Sequence, residues 1–219
     1  MVKDGIWYGL GLGAVAAAVW YFTGDWKLIV PPLLLAAFFL WFFRDPSRKI
    51  TSAPGAIVSP ADGVITEAEW VETTQGSKLR VSIFLNVFDV HVNRSPIKGT
   101  VKVVEYREGG FMNAMTPESS LTNEQTMIQI DGGGYEVSLK QIAGLLARRI
   151  VCDLKAGDVV ERGQRMGMIK FGSRVDVLMP ADVELRVKPG DRVKGGSSVL
   201  GVLAGYGDGA GADGARGRS

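Results

Sequence analysis

The chain contains one histidine, His91, within FLNVFDVHVNRSP (84–96). Imidazole is the side chain whose proton leaves and returns most readily near neutral pH. Read as a strand of period two, Asp89, His91 and Asn93 share one face, and Val90 and Val92 the other. Two further segments carry groups that such a base could serve. KFGSR (170–174) sets Gly172-Ser173 between apolar strands, flanked by Lys170 and Arg174. A serine hydroxyl is a weak nucleophile until a base removes its proton. SPADG (59–63) places Asp62 in a turn leading into a strand, where a carboxylate accepts hydrogen bonds from nearby backbone N–H groups. Taken singly, each segment has a plain structural reading: a satisfied histidine, a tight Gly-Ser connection, an Asx turn.

The elements that must position these groups are short and β-rich. GVITEAEWVE (63–72), LRVSIFLNV (79–87), GTVKVVEYR (99–107), TMIQI (126–130) and YEVSLKQI (135–142) are rich in β-branched and aromatic residues, with turn formers near their ends. This pattern predicts a mainly β, barrel-sandwich-like domain over 44–203. Two internal echoes stand out. AGDVVERG (156–163) resembles PGDRVKGG (189–196), each a Gly-Asp turn, an inward valine and a second glycine turn. Pro60-Ala61-Asp62 also matches Pro180-Ala181-Asp182. The Gly/Ala/Asp-rich tail 204–219 is expected to be disordered.

Residues 1–43 are different material. IWYGLGLGAVAAAVWYF (6–22) is uncharged, TGDWK (23–27) breaks it, and LIVPPLLLAAFFLWFF (28–43) follows. A spanning helix needs roughly 17–25 apolar residues. The first run meets that length and the second approaches it, with Trp and Tyr near the ends of both, where such rings favour the membrane interface. A signal peptide would have a shorter apolar region and a small-residue cleavage site. A buried core hairpin is the other alternative. The segment is read as a membrane-associated helical hairpin that spans the bilayer or dips into it. Lys3 before it, and Arg44, Arg48 and Lys49 after it, place both ends and the soluble domain on the cytoplasmic face.

Composition excludes several functions. Lys+Arg 25 against Asp+Glu 23 gives a formal charge of +2, with no basic run to hold nucleic acid. One cysteine, Cys152, leaves no intrachain disulfide, and one Cys with one His cannot assemble the usual zinc sites, so no metal is expected.

In combination, SPADG, FLNVFDVHVNRSP and FGS, in this order after an apolar N-terminus, resemble the phosphatidylserine decarboxylase proenzymes. FFRDP (42–46) and GQRMGMIKFGS (163–173) look like the short bacterial or archaeal branch. The familiar Leu-Gly-Ser-Thr cleavage segment is here Phe171-Gly172-Ser173-Arg174. Arg94 stands where the long branch has a second histidine.

The resemblance implies self-cleavage between Gly172 and Ser173, giving a β chain 1–172 and an α chain 173–219. It also implies a covalent pyruvoyl group made from Ser173, serving as electron sink in place of pyridoxal phosphate. His91 would be the base and later the proton donor, oriented by Asp62 in the manner of a catalytic triad. Arg94, Lys170 and Arg174 are candidates for phosphate or carboxylate binding. The implied substrate is a membrane phospholipid: phosphatidylserine, converted to phosphatidylethanolamine, or an archaeal ether-lipid analogue. Homo-oligomerisation stays open. A membrane-anchored biotinyl- or lipoyl-like carrier would explain the Gly-Asp turns, but no attachment lysine sits in a Met-Lys-Met-like turn. A Ser-His-Asp hydrolase would need a Gly-x-Ser-x-Gly elbow, which the chain lacks.

Overall fold

The computed structural model describes residues 2–73, 76–116, 118–145, 149–170 and 172–205. Two apolar helices lead, α1 (Lys3–Thr23) and α2 (Trp26–Phe42). Asp25 caps α2, its Oδ1 accepting a hydrogen bond from the Lys27 N–H at 2.9 Å. By length and composition α1 can cross a membrane, whereas α2 is shorter at 17 residues. The two pack closely because α1 offers small residues. A Cβ on Gly5 would come within 2.6 Å of Phe43 Cβ, and one on Gly9 within 2.9 Å of Leu40.

The rest is mainly β, as the sequence pattern predicts: a curled, half-barrel sheet of eight strands with two three-stranded sheets. One seven-strand unit occurs twice. The first copy comprises β1 (Ala56–Val58), β2 (Gly63–Thr73), β3 (Gly76–Leu85), β11 (Ser173–Met179), β12 (Val183–Leu185), β13 (Arg192–Val193) and β14 (Val199–Leu203). The second comprises β4 (Val92–Arg94), β5 (Gly99–Arg107), β6 (Gln125–Asp131), β7 (Glu136–Ala143), β8 (Ile150–Cys152), β9 (Val159–Val160) and β10 (Arg165–Ile169). The large sheet runs β13-β2-β3-β11-β7-β6-β5-β9, a palindrome about β11 and β7, and the small sheets are β1-β14-β12 and β4-β10-β8. The second copy is inserted between β3 and β11 of the first.

Equivalent residues make equivalent bonds. Gly190 N donates to Ile65 O and Gly157 N to Val101 O, both at 2.8 Å; Gly196 N donates to Ser59 O and Gly163 N to Ser95 O, both at 2.7 Å. The Gly-Asp echo in the sequence is therefore one half of this duplication. Its other half is SPADG against SPIKG (95–99), where Ser59 Oγ donates to Ala61 O and Ser95 Oγ to Ile97 O, each at 2.7 Å. The match of 60–62 with 180–182 is not part of it, since 180–182 joins β11 to β12.

The core fills the curl of the large sheet with Ile57, Ile83, Leu85, Ile130, Leu139 and Val177, all fully buried. The region around His91 departs from the expected strand. The Asp89 carboxylate accepts a hydrogen bond from Asn86 N at 2.9 Å, which turns 86–89, and pairing resumes only at Val92. Val90, His91, Val92 and Asn93 are all buried, so no polar face is presented to solvent. A short helix, α3 (Ser119–Thr122), lies in the β5–β6 connection. Of the tail expected to be disordered, 206–219 falls outside the described residues.

Candidate active site

Gly172 and Ser173 sit where the insertion rejoins the first copy. In the second copy the equivalent strands β6 and β7 are joined by the turn at 131–135, with Gly132 N donating to Tyr135 O at 2.8 Å. In the first copy, residues 86–172 intervene instead, and the end of β11 faces the loops of the other unit. Ser173 begins β11, paired with Leu85 of β3 and Ala143 of β7. It is fully buried, and its Oγ has no hydrogen-bond partner among the described residues. Gly172 has φ of +58°, a left-handed conformation that glycine adopts without strain. Its carbonyl oxygen packs on Gly144, where a Cβ would lie 2.2 Å away.

His91 reaches this point from the turn before β4. Its Nε2 accepts a hydrogen bond from Gly172 N at 3.4 Å, and its Nδ1 lies 2.9 Å from Asp89 O. Together the two contacts define a neutral imidazole protonated on Nδ1, with the Nε2 lone pair turned towards the Gly172 peptide. Burial lowers its pKa from 6.5 to about 4, outweighing the hydrogen bond to the Asp89 backbone and the Asp89 charge, while Arg44 lowers it further. Phe42, at the end of α2, supplies part of that burial, with its ring 4.5 Å from the imidazole. The foot of the hairpin thus roofs the site.

Lys170 stands two residues before Gly172 in the chain. Its Nζ pairs with Asp4 of α1 at 2.6 Å and sits 5.6 Å from the Phe43 ring. Beside Gly172 opens a mostly apolar cavity of about 250 Å³, lined by Phe84, Val87, Asn113, Ala114 and Leu145 among others.

Three expected roles change. Asp62 does not orient the imidazole: it binds Arg48 through both oxygens, at 2.9 and 2.7 Å, and accepts from Gly195 N at 2.8 Å. The Asp89 carbonyl holds Nδ1 instead. Arg94 is a structural clamp, bonded to Asp45 at 2.5 Å and to Gly163 O at 2.9 Å. Arg174 leaves the opposite face of β11 from Ser173 and is buried. It bonds Asp176 at 2.6 Å, Glu67 at 2.7 Å and Ser82 at 2.8 Å, so it is closed to a phosphate. Phe42 and Gly144 were not legible as site residues, and Asp89, read as sharing a face with His91, holds the ring through its backbone carbonyl. Only the FFRDP step hinted at Phe42, and no spacing rule connects residue 144 to residue 172.

A Gly-Ser bond at a strand end, with a neutral buried histidine beside it and the foot of an apolar hairpin against that histidine, defines a candidate enzyme site. Comparison with known proteins agrees. Residues 35–201 match the profile of the phosphatidylserine decarboxylase family. A phosphatidylserine decarboxylase proenzyme of Solibacter usitatus is 50% identical over 200 residues, covering 91% of this chain and 95% of that protein. Proenzymes of the same description from Oleidesulfovibrio alaskensis and Burkholderia pseudomallei are 47% and 42% identical, covering 87% and 90% of this chain and 89% and 93% of theirs. The chain belongs to the phosphatidylserine decarboxylase family, and is thereby an enzyme of the carboxy-lyase class.

Proposed function

We propose that this chain cuts itself between Gly172 and Ser173, converts Ser173 to a pyruvoyl group, and decarboxylates phosphatidylserine to phosphatidylethanolamine at the cytoplasmic face of a membrane. The carrying observation is that a neutral His91 turns its Nε2 to the N–H of Gly172, next to a buried Ser173 whose Oγ has no hydrogen-bond partner among the described residues. A pyruvoyl group fits here because the chain itself supplies it: the hydroxyl is free, and the residue before it already has the backbone conformation of glycine. When formed, the group supplies the electron sink for loss of CO2.

The chain's own residues do the rest. Ser173 Oγ attacks the Gly172 carbonyl, and His91 takes the hydroxyl proton, a role open to it because burial keeps it uncharged at neutral pH. The pieces 1–172 and 173–219 stay together, since β11 is hydrogen-bonded to β3 on one side and β7 on the other. Gly144 leaves room for the Gly172 carbonyl. In the decarboxylation, His91 returns a proton to the carbon that loses CO2. Lys170, now paired with Asp4, exchanges that partner for the substrate phosphate. The hairpin over the site supports a lipid substrate, whose head group reaches the domain without leaving the bilayer. An ether-linked lipid with the same head group would meet the same residues.

Denaturing mass measurement on the wild type and on Ser173→Ala tests this reading. Two chains are expected from the wild type, the smaller beginning with a pyruvoyl group, and one chain from the variant. A wild type that stays intact while releasing CO2 from phosphatidylserine vesicles would overturn the mechanism.

A further inference from the structure

Among the described residues, five buried side-chain nitrogen or oxygen atoms lack a hydrogen-bond partner. Two are the Nε atoms of Arg80 and Arg162, whose guanidinium groups are engaged elsewhere. The other three are Ser173 Oγ, Asn93 Nδ2 and Gln141 Oε1. They belong together. On β7 and β11, Ala143 faces Ser173 and Gln141 faces Val175, so the Gln141 and Ser173 side chains leave the same face of the sheet, one step apart. Gln141 Nε2 donates to Asn93 Oδ1 at 2.7 Å. Asn93 in turn lies two residues beyond His91, which meets Gly172. Exposure of the three residues is 0 to 1%, so bulk solvent does not reach the orphaned atoms.

A leucine and a methionine would fill the same space without unpaired polar atoms, and the folded state is less stable for carrying them. What the amides offer is complementarity to a hydroxyl, which donates one hydrogen bond and accepts others. One side-chain amide bonded to another leaves one acceptor and one donor free, and reversing both amides leaves the same pair. We propose that Asn93 and Gln141 are positioning residues for self-cleavage. On approach to attack, their free donor bonds Ser173 Oγ and holds its lone pair on the Gly172 carbonyl carbon, leaving the hydroxyl proton to His91. This inference rests on the self-cleavage reading above. In the step it serves, the bond from Ser173 Oγ to Gly172 C forms and the Gly172–Ser173 C–N bond breaks. The hydroxyl proton passes by way of His91 to the freed amine, giving an ester with no other reactant consumed.

The test follows self-cleavage of the full-length chain after synthesis in the presence of membranes. The double variant Asn93→Leu, Gln141→Met removes the amides and keeps their volume. It is expected to melt within a few degrees of the Ser173→Ala precursor, yet to cleave about 30-fold or more slowly than wild type, a loss on the scale of one buried hydrogen bond. Hydroxylamine, which cuts esters and spares amides, should release no fragment from it, because the ester does not form. Cleavage at the wild-type rate, or rapid cutting by hydroxylamine, overturns the proposal. Should the apolar pair melt early, the exchanged pair Asn93→Gln, Gln141→Asn carries the test, since it keeps a donor and an acceptor. It should cleave faster than the apolar pair, and a folded exchanged pair that does not would equally overturn it. A wild type that never cuts would instead remove the self-cleavage reading beneath.

Discussion

The Nε2 of His91 accepts its hydrogen bond from the N–H of Gly172, one peptide before the Gly172–Ser173 bond. No other imidazole exists in the chain, so proton transfer at this bond has one candidate. His91→Gln keeps a polar group of similar reach without a titratable nitrogen. It is expected to slow self-cleavage by about 10²–10⁴-fold, the usual worth of a general base. Gel analysis of the precursor over time reads this directly, and unchanged cleavage would remove His91 from the site.

Burial of the same ring predicts a pH dependence of stability. With the pKa near 4 in the folded chain and 6.5 unfolded, the folded state binds fewer protons between those values. Stability is therefore full above pH 6.5 and falls as pH drops towards 4, by about 3 kcal/mol. Urea melts of Ser173→Ala at pH 7 and pH 4.5 measure the loss. His91→Gln in that background should lose correspondingly less over the same interval.

Phe42 tests the cause of the shift. Its ring, 4.5 Å from the imidazole, is part of what keeps water away. Phe42→Ala should move the His91 pKa up towards 6.5, followed by the imidazole proton signals on titration in the Ser173→Ala background. A pKa that stays near 4 would mean that the β-domain alone buries the ring.

Local residue patterns predicted the β strands well, because β-branched runs bounded by Gly and Asp report directly on pleated, half-buried segments. GTVKVVEYR was expected as a strand over 99–107 and is β5 over those residues. Period-two reading failed at Asp89-Val90-His91, since the Asp89 carboxylate turned back onto Asn86. The echo of 156–163 in 189–196 was visible, whereas SPIKG hid its kinship to SPADG behind Ile97 and Lys98. Ser173, Gly172 and His91 were legible only through the combination of three motifs. Asp62 was misassigned because adjacency in a motif does not specify which cation folds against it: Arg48, in the segment leaving the hairpin, takes it. Gly144 and Gln141 could not be read at all. Their place at the site depends on the register of β7 against β11, which no local pattern encodes.

Gly144 and Gly172 separate two uses of glycine at one bond. A Cβ at 144 would collide with the Gly172 carbonyl oxygen at 2.2 Å, whereas a Cβ at 172 meets nothing within 4 Å among the described residues but must sit at φ +58°. Gly172→Ala should cost about 1–2 kcal/mol of local strain and slow cleavage by about tenfold or more. Gly144→Ala should displace the reacting carbonyl and leave the precursor uncut over the same time course. Equal cleavage rates in the two variants would contradict this division.

Arg174 provides the contrast between a structural and a ligand-binding cation. Burial works against its charge, but the hydrogen bond and charge of Asp176, with Glu67 beside it, more than offset that and raise its pKa. Removing the guanidinium leaves the buried Asp176 carboxylate without its counter-charge, a loss of about 3–5 kcal/mol. Arg174→Met in the Ser173→Ala background should therefore lower the melting temperature strongly. Adding Asp176→Leu should recover much of it, because an apolar pair has no desolvation to repay. Binding of the folded double variant to phosphatidylserine vesicles should match that of its parent. If Arg174 held the phosphate instead, the single variant would melt normally and bind vesicles weakly.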